Sequence, residues 1–185
     1  MKANDICVDT DSNTCVQSKN FYGKFVAYKE AYPEKKFLLA IGGWSDSGSS
    51  KYSNMLANPA LRSNFVTEAV KFIQEYNFDG LDLDYEYPAY QWNGEPKPAS
   101  DKEGFTAWVK ELHEAFKPYG WELTAAVSAA QYTIEAGYEV AEISSYLDAI
   151  HLMTYDFHGT WETEVNHHAP LYFGSSDGIS NADHA

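Results

Sequence analysis

The sequence predicts an α/β domain built on a parallel β-sheet. Apolar segments of strand length alternate with amphipathic segments of helix length, which is the pattern of parallel sheets. The helical segments, ~10–18 residues long, are suited to the right-handed crossovers between parallel strands. Polar residues gather where the strands end, and both an open doubly wound sheet and a barrel place their active sites there. No G-x-G-x-x-G or Walker loop follows a strand, which disfavours nucleotide-binding folds.

The first half of the chain contains two helical segments separated by an apolar strand. Aromatic residues at helical spacing predict a helix over 21–32. The run KKFLLAIGGW (35–44) predicts a buried strand. Asn58 as the cap and Pro59 as the first helical residue begin a second helix, which we expect to end just before the next strand.

The second half continues the same alternation. Ser100 and Glu103 form a capping box, which predicts the start of a third helix. Small apolar residues over 121–130 predict a further strand. A shorter helix over 138–146 and a strand over 147–156 complete the pattern, and the rest of the chain has no clear periodicity.

The composition excludes some classes of partner. The 185 residues suffice for a single domain, 1–185, in which 1–20 are expected to be a loop. A net charge of −14 argues against nucleic acid and anionic membranes. No segment reaches the ~20 apolar residues of a membrane span. Aromatic residues make up 16% of the chain, which fits either sugar binding or a core rich in Tyr and Trp.

The two cysteines, Cys7 and Cys15, leave the cellular compartment open. In a secreted protein they could close one small loop, whereas in a cytosolic protein they would be two thiols. The N-terminal stretch is polar and does not have the composition of a signal peptide.

The most informative segment is FDGLDLDYEYP (78–88), which we expect to be a strand as far as Glu86. Side chains alternate along a strand, so Asp82, Asp84 and Glu86 share one face and the apolar residues between them share the other. Neighbouring carboxylates on that face are about 6.5–7 Å apart at the backbone. The segment therefore places three acids together beside a buried apolar face.

Three explanations compete for these acids. An edge strand with a solvated acidic face fits poorly between two helices of a parallel pattern. A Ca²⁺ or Mg²⁺ site suits oxygen clusters, but the spacing of an EF-hand loop is absent. The third explanation is general acid catalysis, because crowded, buried carboxylates cannot all ionise and some keep a proton. Glu86, at the carboxyl end of the strand, is then the proton donor.

These residues resemble a known family. D-G-L-D-L-D-Y-E resembles the D-x-x-D-x-D-x-E signature of glycoside hydrolase family 18, the chitinases and chitinase-like proteins. LLAIGGW (38–44) resembles the S-x-G-G strand of that family, and MTYD (153–156) resembles its M-x-Y-D strand. The stretches GWELTAAV and LDAIHLMTYDFHGTW resemble those of arthropod chitinases, and the resemblance as a whole runs from about residue 21 to 176. It implies a TIM (β/α)8 barrel, of which this chain would contain only the middle strands, about the third to the sixth.

The chain also departs from the family pattern. Four parallel strands cannot close a barrel, and the tryptophan that the family places on its last strand is not apparent. Ala40 stands where the family often has Ser. Tyr85 stands where many members have Trp, and we expect it to point away from the acids and to affect the chemistry little.

The resemblance implies a role for each acid. Family 18 is an exception to the two-carboxylate scheme, because the acetamido group of the substrate is the nucleophile. By this resemblance Glu86 protonates the glycosidic oxygen and later activates water. Asp84 orients the acetamido N–H and stabilises developing positive charge, and Asp82 shares a proton with Asp84. Tyr155 donates a hydrogen bond to the acetamido carbonyl, although a buried strand tyrosine is the simpler alternative.

The resemblance also implies residues that bind the sugar and residues that support the strand. The substrate-binding candidates are Gly42, Gly43, Trp44, Met153, Asp156 and Trp161. Asp79 is expected to fix the turn at Gly80. The pair His167 and His168 could suggest a metal, but adjacent histidines in a loop are usually solvated. We therefore predict no metal and no cofactor.

Three functions remain in competition. The leading one is a chitinase that acts on chitin or chitin oligosaccharides, extracellular by resemblance and a monomer if the barrel is complete. The second is a chitinase-like binding protein without turnover, favoured by the missing strands and the missing late tryptophan. The third is a metal-dependent structural domain.

Overall fold

The computed structural model describes residues 20–90, 97–172 and 181–185. In this part of the chain four parallel strands form one sheet in the order β1-β2-β3-β4. The strands are β1 Leu38–Gly42, β2 Gly80–Asp84, β3 Glu122–Ser128 and β4 Ala149–Met153. Each strand lies beside the next one in sequence, as in a barrel, whereas the order reverses at some point in a doubly wound sheet.

Six α-helices are found in the described residues, with two 3-10 turns at Ala27–Glu30 and Lys117–Tyr119. The helices are α1 Phe21–Val26, α2 Lys51–Leu56, α3 Pro59–Tyr76, α4 Asp101–Phe116, α5 Gln131–Gly137 and α6 Val140–Ile143. The sequence predicts α1, α3 and α4 but misses α2 and α5. The helix expected over 138–146 shortens to the four residues of α6.

The two long helices begin in different ways. Asn58 caps α3 as predicted, since its Oδ1 accepts hydrogen bonds from the backbone N–H of Ala60 and Leu61 at 2.9 and 3.4 Å. The capping box at Ser100 is wrong. Ser100 has helical dihedrals (φ −64°, ψ −13°) and its side chain makes no cap hydrogen bond. Acidic residues in the first turn of α4 favour that helix end by their charge instead.

The core lies between one face of the sheet and the helices. Leu81, Leu83 and Tyr85 of the β2 segment are at most 1% exposed and pack against α3 and α4, with Trp108 of α4 fully buried among them. Burying an aromatic or leucine side chain stabilises a fold by roughly 1.5–3 kcal/mol, which makes this face the main source of stability. The predicted division of this segment into an apolar and an acidic face is confirmed.

The sheet is an open arc, as expected of part of a barrel. Neither β1 nor β4 pairs with a further strand among the described residues. Ile150 and Leu152 of β4 are 40% and 38% exposed, and Ala40 of β1 is exposed. The inner face of the arc carries Asp82 and Asp84, so the acids lie on the concave side.

Candidate active site

The acidic strand lies in the interior of the sheet. β2 pairs with β1 on one side and with β3 on the other, so the edge-strand explanation of the acids is wrong. Asp82 and Asp84 are half-buried on its concave face. Glu86 follows the last strand residue by two positions and is also half-buried. The three carboxyl groups thus run along one face towards the carboxyl end of β2.

A cleft of about 730 Å³ opens at the carboxyl ends of the strands. Seven predicted site residues line it: Trp44, Asp84, Glu86, Met153, Tyr155, Asp156 and Trp161. Trp161, Tyr155 and Trp44 are 64%, 50% and 40% exposed, so their rings are available to a flat ligand. An apolar groove of about 460 Å³ beside β1 has no carboxylate in its lining and lacks the means for acid chemistry.

Glu86 is held from three directions. The backbone N–H of Trp44 and the hydroxyl of Tyr87 lie near its carboxylate, and both favour its ionised form. Its own backbone N–H donates to Ser47 Oγ at 3.0 Å. Burial, and to a lesser extent the negative charge of Asp84, raise the pKa of Glu86. A raised pKa favours the protonated carboxyl that a general acid requires.

Asp84 and Asp82 form a neighbouring pair. Burial, followed by the charge of Asp82, raises the pKa of Asp84. Its Oδ1 is buried and has no hydrogen-bond partner in the described part of the chain. Asp82 Oδ1 accepts a hydrogen bond from Thr124 Oγ1 at 2.5 Å and lies 3.8 Å from His151 Nε2. The pair therefore presents one anchored carboxylate and one with an unused acceptor atom.

Gly42, the last residue of β1, and Gly43, which follows it, allow the chain to approach Asp84 closely. The backbone N–H of Gly43 donates to Asp84 O at 2.6 Å. A Cβ atom on Gly42 would lie 2.1 Å from Asp84 O. Gly42 also has φ +117°, a backbone conformation that residues other than glycine rarely adopt. These contacts are with the protein backbone, and a contact of either glycine with substrate stays a prediction.

Asp79 lies at the opposite end of β2, away from the cleft. Its Oδ2 accepts from the backbone N–H of Phe37 at 2.9 Å, and its Oδ1 accepts from Lys29 Nζ at 2.8 Å. A Cβ atom on Gly80 would lie 1.9 Å from Glu122 O. Asp79 thus joins the amino ends of β1 and β2, whereas Gly80 permits the close approach of β3.

Three tyrosines of the cleft were not predicted as site residues. Tyr87 lies close enough to Glu86 for that carboxyl to raise its pKa, after burial, and its place next to the acid in sequence was the available signal. Tyr90 and Tyr132 pack with ring centroids 5.1 Å apart at one end of the cleft. Tyr90 lies in the loop after β2 and Tyr132 lies in α5, and no local sequence pattern relates them.

The sequence also raised the questions of a metal site, a membrane span and a paired Cys7 and Cys15. Within 20–90, 97–172 and 181–185, no group of three or more His, Cys, Asp or Glu side chains is arranged to hold a metal ion. His168 Nδ1 lies 3.3 Å from Asp156 Oδ1. None of the helices in the described ranges is long and apolar enough to cross a membrane. Cys7, Cys15 and the loop predicted over 1–20 lie outside the described residues, apart from residue 20.

The raised pKa values predict a pH dependence of stability. The ordinary values are 3.8 for Asp84 and 4.5 for Glu86, and the native state raises both. Between the ordinary and the raised values the native chain binds more protons than the unfolded chain, so stability falls as pH rises. This contribution is fully present below pH 3.8 and is lost as the pH passes the native pKa values.

The measurement is urea unfolding at a series of pH values, for the unaltered chain and for Asp84→Asn/Glu86→Gln. We expect the free energy of unfolding of the unaltered chain, relative to the double variant, to decrease as the pH rises above the ordinary values of 3.8 and 4.5. A difference that stays constant or increases over this range would show that the two carboxyls are not protonated preferentially in the native state.

Comparison with known proteins places this geometry in context. The profile of glycosyl hydrolases family 18 matches residues 4–185. Probable chitinase 10 of Drosophila melanogaster is 48% identical over 160 residues, which are 85% of this chain and 7% of the Drosophila protein.

Two solved structures agree with the sheet and its helices. Catalytic domain 2 of the group II chitinase of Ostrinia furnacalis superposes with a TM-score of 0.84 and 46% identity, over 89% of this chain and 43% of that one. A mutant of the same domain, in complex with penta-N-acetylchitooctaose, (NAG)5, gives a TM-score of 0.86 and 42% identity over 95% and 46% of the two chains. The chain thus spans less than half the length of either solved structure.

Proposed function

Since the chain belongs to glycosyl hydrolases family 18, we propose that it carries the catalytic acids of a chitinase, which hydrolyses β-1,4-linked N-acetylglucosamine polymers with retention of configuration. The observation that carries this proposal is Glu86, a half-buried carboxyl with a raised pKa at the floor of an aromatic cleft. A carboxyl in that state can donate a proton to the oxygen of a glycosidic bond. Chitin oligosaccharides are the proposed ligands, as in the complex of the Ostrinia domain.

Glu86 acts twice in the proposed mechanism. As acid it protonates the bridging oxygen, so that the bond to the anomeric carbon breaks and the leaving sugar departs as an alcohol. The carbonyl oxygen of the substrate acetamido group attacks the same carbon and forms an oxazolinium ion. Glu86, now ionised, takes a proton from water, which opens that ring with net retention. The Tyr87 hydroxyl and the Trp44 amide stabilise the carboxylate in the second step.

Asp84 is the proposed partner of the acetamido group. Its buried Oδ1, which lacks a hydrogen-bond partner among the described residues, is suited to accept the acetamido N–H. Its negative charge stabilises the oxazolinium cation, and Asp82, anchored by Thr124, shares its proton. Burial, followed by the charges of Asp84 and Glu86, raises the pKa of Tyr155, so its hydroxyl stays protonated and can donate to the acetamido carbonyl.

The remaining cleft residues are proposed to hold the sugar rings. The exposed faces of Trp44 and Trp161 offer flat apolar surfaces on which pyranose rings stack. Met153 lies on the cleft wall beside Tyr155, and Asp156 offers a carboxylate to sugar hydroxyls. We further propose that the protein acts outside the cell, because chitin is an extracellular polymer, and as a monomer if the barrel is complete, because Asp84, Glu86 and Tyr155 line one cleft.

The decisive experiment compares chitin oligosaccharides with their fully deacetylated counterparts. We expect release of reducing ends from the acetylated oligosaccharides alone, because the deacetylated sugar lacks the nucleophile. Reducing-end assay and mass spectrometry of the products measure this, with Glu86→Gln as the blank.

Two other outcomes would contradict the proposal in different ways. Equal cleavage of both substrates would mean that a carboxylate such as Asp84 attacks directly, as in a two-carboxylate retaining enzyme. Binding of acetylated oligosaccharides in calorimetry with no product formed would favour the binding protein without turnover.

A further inference from the structure

A buried polar cluster lies behind Glu86, on the side of β2 that faces away from the cleft. We call it the support network, and its members are at most 8% exposed. It consists of Ser47, Ser53, Tyr85, Lys97 and Asp101. None of these residues lines the cleft, so contact with a ligand does not explain them.

Tyr85, the residue between the two proposed catalytic acids, is tied to helix α4 through its hydroxyl. The hydroxyl donates to Asp101 Oδ2 at 2.9 Å. Asp101 Oδ2 also accepts a hydrogen bond from Ser53 Oγ at 2.6 Å. The hydroxyls of Ser53 and Tyr85 lie 3.2 Å apart. Tyr52 stacks on the Tyr85 ring with centroids 4.7 Å apart. The ring therefore has one available position, set by a carboxylate that is 1% exposed.

Lys97 connects the same ring to the loop that holds Glu86. Its ammonium donates to the carbonyls of Ser47 and Ser49 at 2.7 and 2.6 Å, and it lies 5.7 Å from the centre of the Tyr85 ring. Ser47 in turn accepts the backbone N–H of Glu86 at 3.0 Å. The side chain of Tyr85 is thus held by α4, and the backbone that follows it is held by this loop.

Burying a charged group is costly unless hydrogen bonds compensate. Asp101 Oδ2 accepts hydrogen bonds from both Tyr85 and Ser53, whereas its Oδ1 is buried and has no partner among the described residues. Asp101 would cost less stability as an apolar residue, so its contacts point to a requirement for position. We propose that Asp101 is a positioning residue of the reaction, which holds Glu86 at the glycosidic oxygen through the hydroxyl of Tyr85. This inference rests on the proposed function and revises the expectation that Tyr85 has little effect on the chemistry.

Proton transfer depends strongly on geometry, which makes the role measurable. A displacement of about 1 Å at the reacting group can cost roughly 10²-fold in rate. A displaced general acid matters most when the leaving group is a poor one, such as a sugar alcohol. An aryl leaving group departs with little protonation, so its rate depends much less on Glu86. A merely structural defect would lower both rates alike.

The experiment measures kcat and KM of Tyr85→Phe and Asp101→Asn on a chitin oligosaccharide and on a 4-nitrophenyl glycoside of the same sugar. We expect kcat on the oligosaccharide to fall about 10- to 100-fold and kcat on the aryl glycoside to fall less than about threefold. The KM values for both substrates should stay unchanged. Glu103→Gln, which removes an exposed carboxylate from the same turn of α4, is the matched control.

The double variant tests the route of the effect. If Asp101 acts through Tyr85, Tyr85→Phe/Asp101→Asn is no slower than the slower single variant. Additive losses would overturn that route, and equal losses on both substrates would overturn the positioning role altogether. Should Asp101→Asn fail to fold, Tyr85→Phe, which keeps the ring and changes no charge, carries the comparison of substrates.

A second measurement does not need turnover. Carboxyl 13C NMR titration reports the pKa of Glu86, assigned by its absence in Glu86→Gln. In Tyr85→Phe we expect this pKa to move down towards 4.5, since a released carboxyl gains access to water. An unchanged titration would contradict the inference. If the unaltered chain cleaves neither substrate, the proposed function fails, while the titration still decides whether the network fixes Glu86.

Discussion

Glu86→Gln should lower the rate of chitin oligosaccharide cleavage by about 10²- to 10⁴-fold, the usual contribution of a general acid. The amide has nearly the same shape as the carboxyl, but it cannot transfer a proton to the bridging oxygen. The Tyr87 hydroxyl and the Trp44 amide lie next to this side chain in the cleft wall. The carbonyl oxygen of glutamine can still accept a hydrogen bond from one of these two donors. The measurement is kcat from a reducing-end assay at saturating oligosaccharide.

Binding should persist in this variant, and that separates a chemical role from a structural one. We expect the Kd from titration calorimetry to change by less than about threefold, because ring stacking on Trp44 and Trp161 does not involve the proton. Glu114→Gln, an exposed change on α4, controls for loss of a carboxylate. A Glu86→Gln chain that cleaves as fast as its parent would remove Glu86 from the mechanism.

The sequence predicts those parts of the fold that depend on local periodicity. The alternation in 78–86 places Leu81 and Leu83 in the core and Asp82 and Asp84 opposite them, because a strand has a period of two. Asn58 is recognisable as a cap because its side chain bonds to amides only two and three residues away. The order of strands along the sheet follows from short crossovers between consecutive strands.

The errors arise where tertiary contacts outweigh local pattern. Helices α2 and α5 have six and seven residues and no side-chain cap, so their stability comes from packing rather than from a sequence signal. Ser100 has the residue type of a cap, yet its helical dihedrals prevent that role. The helix predicted over 138–146 is reduced to the single turn of α6, in which Ile143 is buried and Val140 is 51% exposed.

The candidate site shows the same limit. The acids lie next to one another in sequence, so their shared face was predictable from a single strand. Tyr90, in the loop after β2, and Tyr132, in helix α5 after β3, meet because the carboxyl ends of β2 and β3 lie at the same edge of the sheet. The contact between Tyr85 and Asp101 likewise needs the packing of α4 against β2, which no spacing encodes. Residues that act through tertiary contacts are therefore the ones that sequence reasoning misses.

Asp84→Asn should reduce kcat by about 10²- to 10³-fold, comparable to removal of one electrostatic group at a developing charge. The variant loses the negative charge that stabilises the oxazolinium ion and a strong acceptor for the acetamido N–H. It also loses the second cause of the raised pKa of Glu86, after burial. Glu86 then ionises at lower pH in the free chain. The alkaline limb of the kcat/KM profile, which requires protonated Glu86, should therefore move to lower pH.

The profile measured from about pH 3 to about pH 9 for the parent, Asp84→Asn and the exposed control Asp183→Asn decides this point. The direction of the shift is diagnostic, because a general loss of structure lowers the whole curve without moving its limb. Burial alone still raises the pKa of Glu86 in the variant, so the limb should not fall as far as that of a free glutamate. A limb that stays in place while kcat falls would mean that Asp84 acts on the substrate but does not control the proton of Glu86. The two carboxyls would then be independent groups rather than a coupled pair.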